Sequence, residues 1–389
     1  MKIYFIGQKG IPAKFGGVER HAEELATRLV KAGHQVYAYT RTNYTDSKLK
    51  KFKGVNLISL PTIATKHLDA IVHTFMACLD ARKRQADIIH FHSIGPSSLI
   101  WLVKILNPRV PIVATFHTKC YEHQKWGSLA KLYLKFGEII LCSLADKTIT
   151  VSRVLSDYVE KKYKIIANYI PNGVKLSKNF SARKIKKWGL KKDNYILVVS
   201  RLIKHKGIHS LIKAYKQIKT DKKLVITGDG CYTDSYIKEL KTLAKSNDNI
   251  IFTNNQSGDT LAELFSNAFL FVQPSESEGL SVALLEAMSY GKCAIVSDIP
   301  ENVEATGENN SAFKNKNINS LRNKLIYFLN NPLIVKKYGK KLKARAKKNY
   351  NWENIVNQTI KVYQQAIKLK TANYSRYRFV WNALLSRKL

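Results

Sequence analysis

The stretch AFLFVQPSESEGLSVALLEAM, residues 268–288, reads as a strand, a polar loop and a helix in direct succession. Ala268–Pro274 is a short apolar and aromatic run, suited to a strand covered on both faces. Ser275-Glu276-Ser277-Glu278-Gly279 interrupts it, and near Ser281 the pattern becomes helical. The rest of the chain repeats that unit. Tyr195–Ser200, Leu224–Gly228, Ile250–Thr253 and Cys293–Asp298 are strand-like, each followed by a helical pattern. In the first half the strand candidates are Ile3–Gly7, Gln35–Thr40, Val55–Leu60, Asp87–His92, Ile112–His117 and Lys147–Ser152. Between the first two, Val18, Ala22, Leu25, Ala26 and Leu29 recur at helical spacing. Alternation of this kind predicts doubly wound parallel sheets in an α/β fold.

The pattern lapses around 167–190, where Pro171-Asn172-Gly173 is followed by a polar, lysine-rich stretch. Two similar domains are therefore expected, 1–170 and 171–351. A third segment, 352–389, reads as a long amphipathic helix with Ile355, Ile360, Val362, Tyr363 and Ile367 as apolar candidates, ending in a basic aromatic tail. The helical run Leu68, Ile71, Val72, Phe75 and Leu79 is expected to face the core.

Of 389 residues, 65 are Lys or Arg and 28 are Asp or Glu, a net charge of +37. An excess of this size points to an anionic partner, or to lysines spread over solvated faces. Five cysteines, Cys78, Cys120, Cys142, Cys231 and Cys293, show no paired spacing. They argue for a reducing cytoplasm over a disulfide framework or zinc knuckle. Met1–Gly7 runs directly into a strand pattern unlike a signal peptide, and runs such as Ile139–Ala145 fall short of a membrane span. A membrane, if met, is met from its surface.

Ligands of doubly wound sheets bind beyond the carboxyl ends of the strands, so two such domains are expected to enclose a cleft. The loop Gly7–Glu19 leaves the first strand and carries Gly16-Gly17 into a helix. Its glycines permit close backbone approach, and the helix start favours anions; a purely structural glycine turn is the competing reading. It lacks the Gly-x-Gly-x-x-Gly fingerprint of dinucleotide binding, which weakens a dehydrogenase. In the second half, Arg201 and Lys206 follow a strand end, where a guanidinium fork and an ammonium can clamp a diphosphate. Glu278 and Glu286 stand eight residues apart, about 12 Å along a helix. That span suits two ends of one nucleotide-sugar better than one metal ion. His117 closes a strand, and His90 and His92 share a face of another; without a third ligand at supporting spacing, lining or core roles outrank zinc.

Taken together, the Gly16-Gly17 loop, Arg201, Lys206-Gly207 and Glu278…Glu286 resemble the retaining family-4 glycosyltransferases of the GT-B fold. Ile170–Val174, Val296–Glu301 and Trp352-Glu353 also look like that family, over about residues 1–368. Gly10–Ala13 with Lys125-Trp126-Gly127 resembles bacterial surface-polysaccharide enzymes, rhamnosyltransferase-like members among them. The resemblance implies two Rossmann-like domains facing a central cleft, and a hexosyltransferase-type enzyme (EC 2.4). It implies that Arg201 and Lys206 hold the donor diphosphate, Glu286 the ribose hydroxyls and Glu278 the donor sugar. The backbone of Gly279, Leu280, Ser281 and Val282 would add N–H donors. Gly16 and Gly17 would admit phosphate or acceptor, and His117 would touch the transferred sugar. Lys175, where Asp commonly follows Asn-Gly-Val, and Lys119–Glu122 after His117 depart from the pattern.

No Asp-x-Asp motif stands at a strand end, so no cofactor and no metal is expected. The implied partners are a nucleotide-sugar donor, a saccharide or lipid-linked saccharide acceptor and an anionic membrane surface, at the cytoplasmic face. The tail, with Tyr377, Trp381, Leu384 and Leu385 among Arg376, Arg378, Arg387 and Lys388, suits an interfacial helix or one packed on the first domain. A nucleic-acid-binding protein accounts for the charge, but basic and aromatic residues are not interleaved in a recognised module. A phosphorylase or epimerase lacks its pyridoxal-phosphate lysine context or its glycine fingerprint.

Overall fold

The computed structural model describes residues 1–385 apart from 66, 123–125, 178–179, 231–232 and 308–309, with side chains through 372. Lys125, Cys231 and the tail side chains from 373 lie outside the described residues. Two compact units emerge, Met1–Pro171 with Glu353–Leu389, and Asn172–Trp352.

In the first unit the order is β1 (Lys2–Ile6), α1 (Gly17–Lys31), β2 (Gln35–Arg41), β3 (Lys51–Phe52), β4 (Val55–Leu60), α2 (Leu68–Ala81) and β5 (Ile88–His92). It continues through α3 (Ile94–Ser97), α4 (Ile100–Leu106), β6 (Ile112–Phe116), α5 (Ser128–Leu144), β7 (Lys147–Thr150), α6 (Arg153–Tyr163) and β8 (Asn168–Tyr169). The sheet order is β3-β4-β2-β1-β5-β6-β7-β8, parallel except for the β3–β4 hairpin. Its central strands are covered on both sides: every residue of β5 and of β6 is buried.

The second unit runs β9 (Tyr195–Val199), α7 (Ile208–Tyr215), β10 (Lys223–Thr227), α8 (Asp234–Ala244), β11 (Ile250–Asn254), α9 (Gly258–Asn267) and β12 (Leu270–Gln273). Then come α10 (Val282–Ser289), β13 (Cys293–Ser297), α11 (Pro300–Thr306), β14 (Ala312–Phe313), α12 (Ile318–Asn330) and α13 (Pro332–Asn349). Its parallel sheet has the order β11-β10-β9-β12-β13-β14. Ile196, Val198, Leu224, Ile226, Leu270, Val272 and Ile295 interlock with Leu211, Ile212, Leu240 and Leu325 of the helices in one core.

The α/β doubly wound architecture is as the alternation predicts. The two-residue strands β3, β8 and β14 escape it, being too short to show a period. The expectation for α2 is corrected. This helix buries His73, Thr74, Ala77, Cys78 and Ala81 and turns Leu68, Phe75 and Leu79 to solvent. Its small residues fit the close approach to neighbouring elements, leaving the large ones outside.

The last helix, α14 (Trp352–Leu385), belongs to the first unit from Glu353 onward. Ile355, Val356, Thr359, Val362, Tyr363 and Ala366 form its buried stripe, at the spacing of one helix face. Among the described residues no helix is long and apolar enough to cross a membrane.

Candidate functional site

In each unit the strand order reverses once, and the residues singled out by sequence gather at that point. In the second unit β9 leads to β10 on one side, while β12, its other neighbour, leads on to β13. Loops leave the carboxyl ends of β9 and β12 there, at the usual ligand position of such sheets. Arg201 and Lys206 lie on the first loop, Glu278 on the second.

These loops are joined by backbone. The Glu276 N–H donates to the His205 carbonyl at 2.8 Å. Gly207, at φ +68°, approaches so closely that a Cβ there would stand 2.0 Å from the Pro274 carbonyl oxygen. A side chain at 207 would push the loops apart, which accounts for glycine after Lys206.

Across this junction Lys206 Nζ reaches Glu278 Oε1 at 2.5 Å, both side chains largely buried at 13% and 9% exposure. The same carboxylate oxygen accepts from Gln273 Nε2 at 2.7 Å, which also donates to Ser275 Oγ at 2.7 Å. Ser281 Oγ donates to Gln273 Oε1 at 3.3 Å and, as the N-cap of α10, accepts from the Leu284 N–H. Burial holds the Lys206 ammonium below its ordinary range; Glu278 opposes that shift, and nearby Arg201 adds to it. The Arg201 guanidinium makes no hydrogen bond or ion pair among the described residues. Arg201 thus stands near a lysine already committed to a glutamate.

Asn172 Nδ2 donates to the Leu280 carbonyl at 2.8 Å and so steadies the loop between Glu278 and the helix. Gly279, Leu280 and Ser281 are buried, Val282 opens α10, and Glu286 sits half-buried on its second turn. First-turn N–H groups have no partner within their helix, so this end offers donors to an anion.

In the first unit the order reverses between β1 and β5. Here the loop after β1 carries Gly16 and Gly17, β5 ends at His92, and His117 directly follows β6. Glu19, in the first turn of α1, curls back over Gly16: a Cβ there would stand 2.0 Å from its carboxylate. The other Glu19 oxygen accepts from the Lys9 N–H at 3.3 Å. This helix start thus already faces a carboxylate of its own chain. Tyr44 Oη accepts from the N–H groups of Lys14 and Phe15, and Glu23 from that of Ala13, pinning the loop.

His92 Nδ1 and His117 Nε2 are 3.3 Å apart. His90 lies beneath them, bonded to Tyr363 Oη at 2.8 Å and Thr115 Oγ1 at 2.7 Å, a satisfied core histidine. Burial, and secondarily the neighbouring imidazoles, hold His90, His92 and His117 far below their ordinary range and hence uncharged at neutral pH.

The third imidazole that sequence spacing does not supply is present in space. His21 of α1 brings a ring nitrogen within 4.8 Å of those of His92 and His117, all three residues buried. Three buried imidazoles are a donor set a zinc-like ion accepts. The signal for His21 was a polar residue on the apolar face of α1, beside Ala22 and Leu25. Gln273 carries the corresponding signal in the second unit, an amide ending the otherwise apolar β12.

Residues 15–178 match the family model described as Glycosyltransferase Family 4, and residues 180–350 that described as Glycosyl transferases group 1. The alpha-monoglucosyldiacylglycerol synthase of Streptococcus pneumoniae is 27% identical over 312 residues, 73% of this chain and 68% of that one. Sucrose-phosphate synthase from Thermosynechococcus elongatus superposes with a TM-score of 0.80 at 22% identity, covering 95% of this chain and 99% of that one. Anabaena HepE, solved in complex with UDP and glucose, gives 0.78 at 17% identity, over 94% and 100%. Both share the GT-B fold with this chain.

Proposed function

We propose that this chain, a glycosyltransferase built from a family 4 domain and a group 1 domain, moves a sugar from a nucleoside-diphosphate donor to a saccharide acceptor. Transfer retains the anomeric configuration and needs no metal ion. The acceptor is free or lipid-linked, presented at an anionic membrane surface on the cytoplasmic side, and the product enters surface polysaccharide or glycolipid. The name of the Streptococcus pneumoniae relative, a diacylglycerol glucosylating enzyme, supports the glycolipid side of this reading.

One observation carries it: Arg201 beside the Lys206–Glu278–Gln273 array, at the strand-order reversal and next to the start of α10. As the bond between anomeric carbon and diphosphate oxygen breaks, negative charge grows on the diphosphate. Arg201, Lys206 and the α10 N–H groups oppose it at fixed positions, so little reorganisation is needed. Glu278 holds the lysine in place and faces the donor sugar. Glu286 accepts from the ribose hydroxyls, and uncharged His117 hydrogen-bonds the transferred sugar. With the Glu19 carboxylate against Gly16, the Gly16-Gly17 loop suits an acceptor hydroxyl better than a second phosphate. For retention, the acceptor oxygen attacks on the face the diphosphate leaves, and its proton passes to a diphosphate oxygen.

The test combines a nucleotide-sugar panel with lipid-linked and soluble acceptors, reading products by mass spectrometry and the new anomeric centre by NMR. An inverted product would end the retaining mechanism. Activity lost on chelation and restored by zinc would assign His21, His92 and His117 to metal binding and take His117 away from sugar contact. Thermal stabilisation by DNA or NAD but not by UDP, GDP or dTDP would remove the transfer reading altogether.

A further inference from the structure

Helices α2, α4 and α5 are neighbours, with α4 against both others. All three belong to rightward crossovers in the first sheet, which by handedness puts them on one face. Their outward residues are large and apolar. On α5, Leu129 (84% exposed), Leu132, Phe136 and Ile139 fall at intervals of three and four and form one stripe. On α4, Trp101 and Ile105 (67% exposed) stand one turn apart. The outward stripe of α2 continues the same surface. Monomeric proteins rarely leave so many large side chains contiguous and uncovered.

The charges on these helices have one free sign. Their only acids are Asp69, Asp80 and Glu138. Asp69 is paired with Arg41 at 2.6 Å, and Asp80 accepts from Arg84 and Tyr39. Glu138 is fully buried, accepting from Lys162, Tyr158 and Tyr163. Beside the stripes lie Lys131 and Lys135, and the exposed Arg82 and Lys83 follow α2. An apolar face interleaved with uncompensated cations is complementary to lipid tails beneath anionic headgroups. It is not complementary to a second copy of a chain that itself carries +37.

The face also ends in the right place. The amino ends of α2 and α5 follow the carboxyl ends of β4 and β6, the sheet edge that bears His117. There His67 and Trp126, from the two connecting loops, bring their rings within 5.7 Å.

The geometry points to the α2–α4–α5 face as the bilayer-docking surface of the first unit, binding phosphatidylglycerol-type membranes by apolar insertion with lysine contact. This deepens the lipid-borne acceptor reading and rests on it for its purpose, but binding is measured without turnover.

The experiment is co-sedimentation of the full-length protein with phosphatidylglycerol–phosphatidylcholine and pure phosphatidylcholine vesicles. Wild type and L333E, a control at an exposed position of α13, are expected to bind the anionic vesicles equally. L132E/F136E should bind at least tenfold less with an unchanged melting temperature, and K131Q/K135Q should lose most of its preference for anionic lipid. Undiminished binding by L132E/F136E overturns the proposal. So does loss of binding only when the chain is cut at Lys370, or sedimentation velocity showing that L132E/F136E splits a dimer while leaving vesicle binding intact. If vesicles bind through this face but no nucleotide-sugar is used, the transferase mechanism falls and the docking surface stands.

Discussion

Lys206 and Glu278 form an ion pair across two strand-end loops. Both are largely buried, and removing one partner of such a pair leaves a desolvated charge uncompensated. Without Glu278, Lys206 would keep the repulsion of Arg201 and lose its counter-charge. Glu278→Ala is therefore expected to lose about 3 kcal/mol of stability, measured by urea denaturation. On the proposed function, a nucleoside diphosphate would supply the missing negative charge. The variant's melting temperature should accordingly rise more with UDP or GDP than the wild type's; an equal or smaller rise would show that the anion does not reach this pair. The Arg201 guanidinium makes no hydrogen bond or ion pair among the described residues, so Arg201→Ala should melt close to wild type. Its kcat should fall by at least a hundredfold, and near-normal turnover would remove Arg201 from the chemistry. The pair itself was not legible as a contact. Sequence put both residues at strand ends, but only the pairing of β9 with β12 set those ends side by side.

At the scale of elements, the ends of β5 and β6 hold imidazoles that the fold keeps uncharged. His90, His92 and His117 have folded-state values depressed by burial, while the same residues in the unfolded chain protonate near pH 6.5. The unfolded state thus binds more protons as pH drops. Stability is full above pH 6.5 and declines below it, by about 1.4 kcal/mol per pH unit for each histidine. Urea midpoints taken between pH 7.5 and 5 should fall steeply below 6.5, and a triple replacement by Gln should flatten that fall. Tyr363 of α14 supports the same strand end. Tyr363→Phe leaves the buried His90 Nδ1 without its partner and should cost about 1–3 kcal/mol, measured at pH 7.5. At α10, Ser281→Ala removes the cap on Leu284 and the hydroxyl on Gln273, a loss of about 1 kcal/mol. The position of that helix was readable from sequence because an apolar strand, a polar break and a capping serine follow one another. Gln273 leaves no break in the pattern, because a single amide does not disturb an apolar run.

At the scale of the whole molecule, α14 follows the second unit in sequence but packs as part of the first. A chain ending at 352 would uncover the surface now closed by Ile355, Val356, Val362, Tyr363 and Ala366. Thermal unfolding of that truncated form should show the first unit melting well below its position in the intact protein, with the second unit less affected. Coincident transitions at the wild-type temperature would refute this.

By itself the amino-acid order determined the longer strands and helices, that the sheets are parallel and buried at their centres, and which loops leave the carboxyl ends of strands. Burial preferences and periodicities are local, and a window of ten or fifteen residues contains them. The tertiary structure alone decided which loop ends become neighbours: His21 beside His92 and His117, Tyr363 against His90, Gln273 beneath Glu278. It also decided that Leu68, Phe75 and Leu79 of α2 face outward. Periodicity identifies the stripe of a helix, but which stripe meets the sheet depends on how closely two backbones approach, a property of the assembled layers.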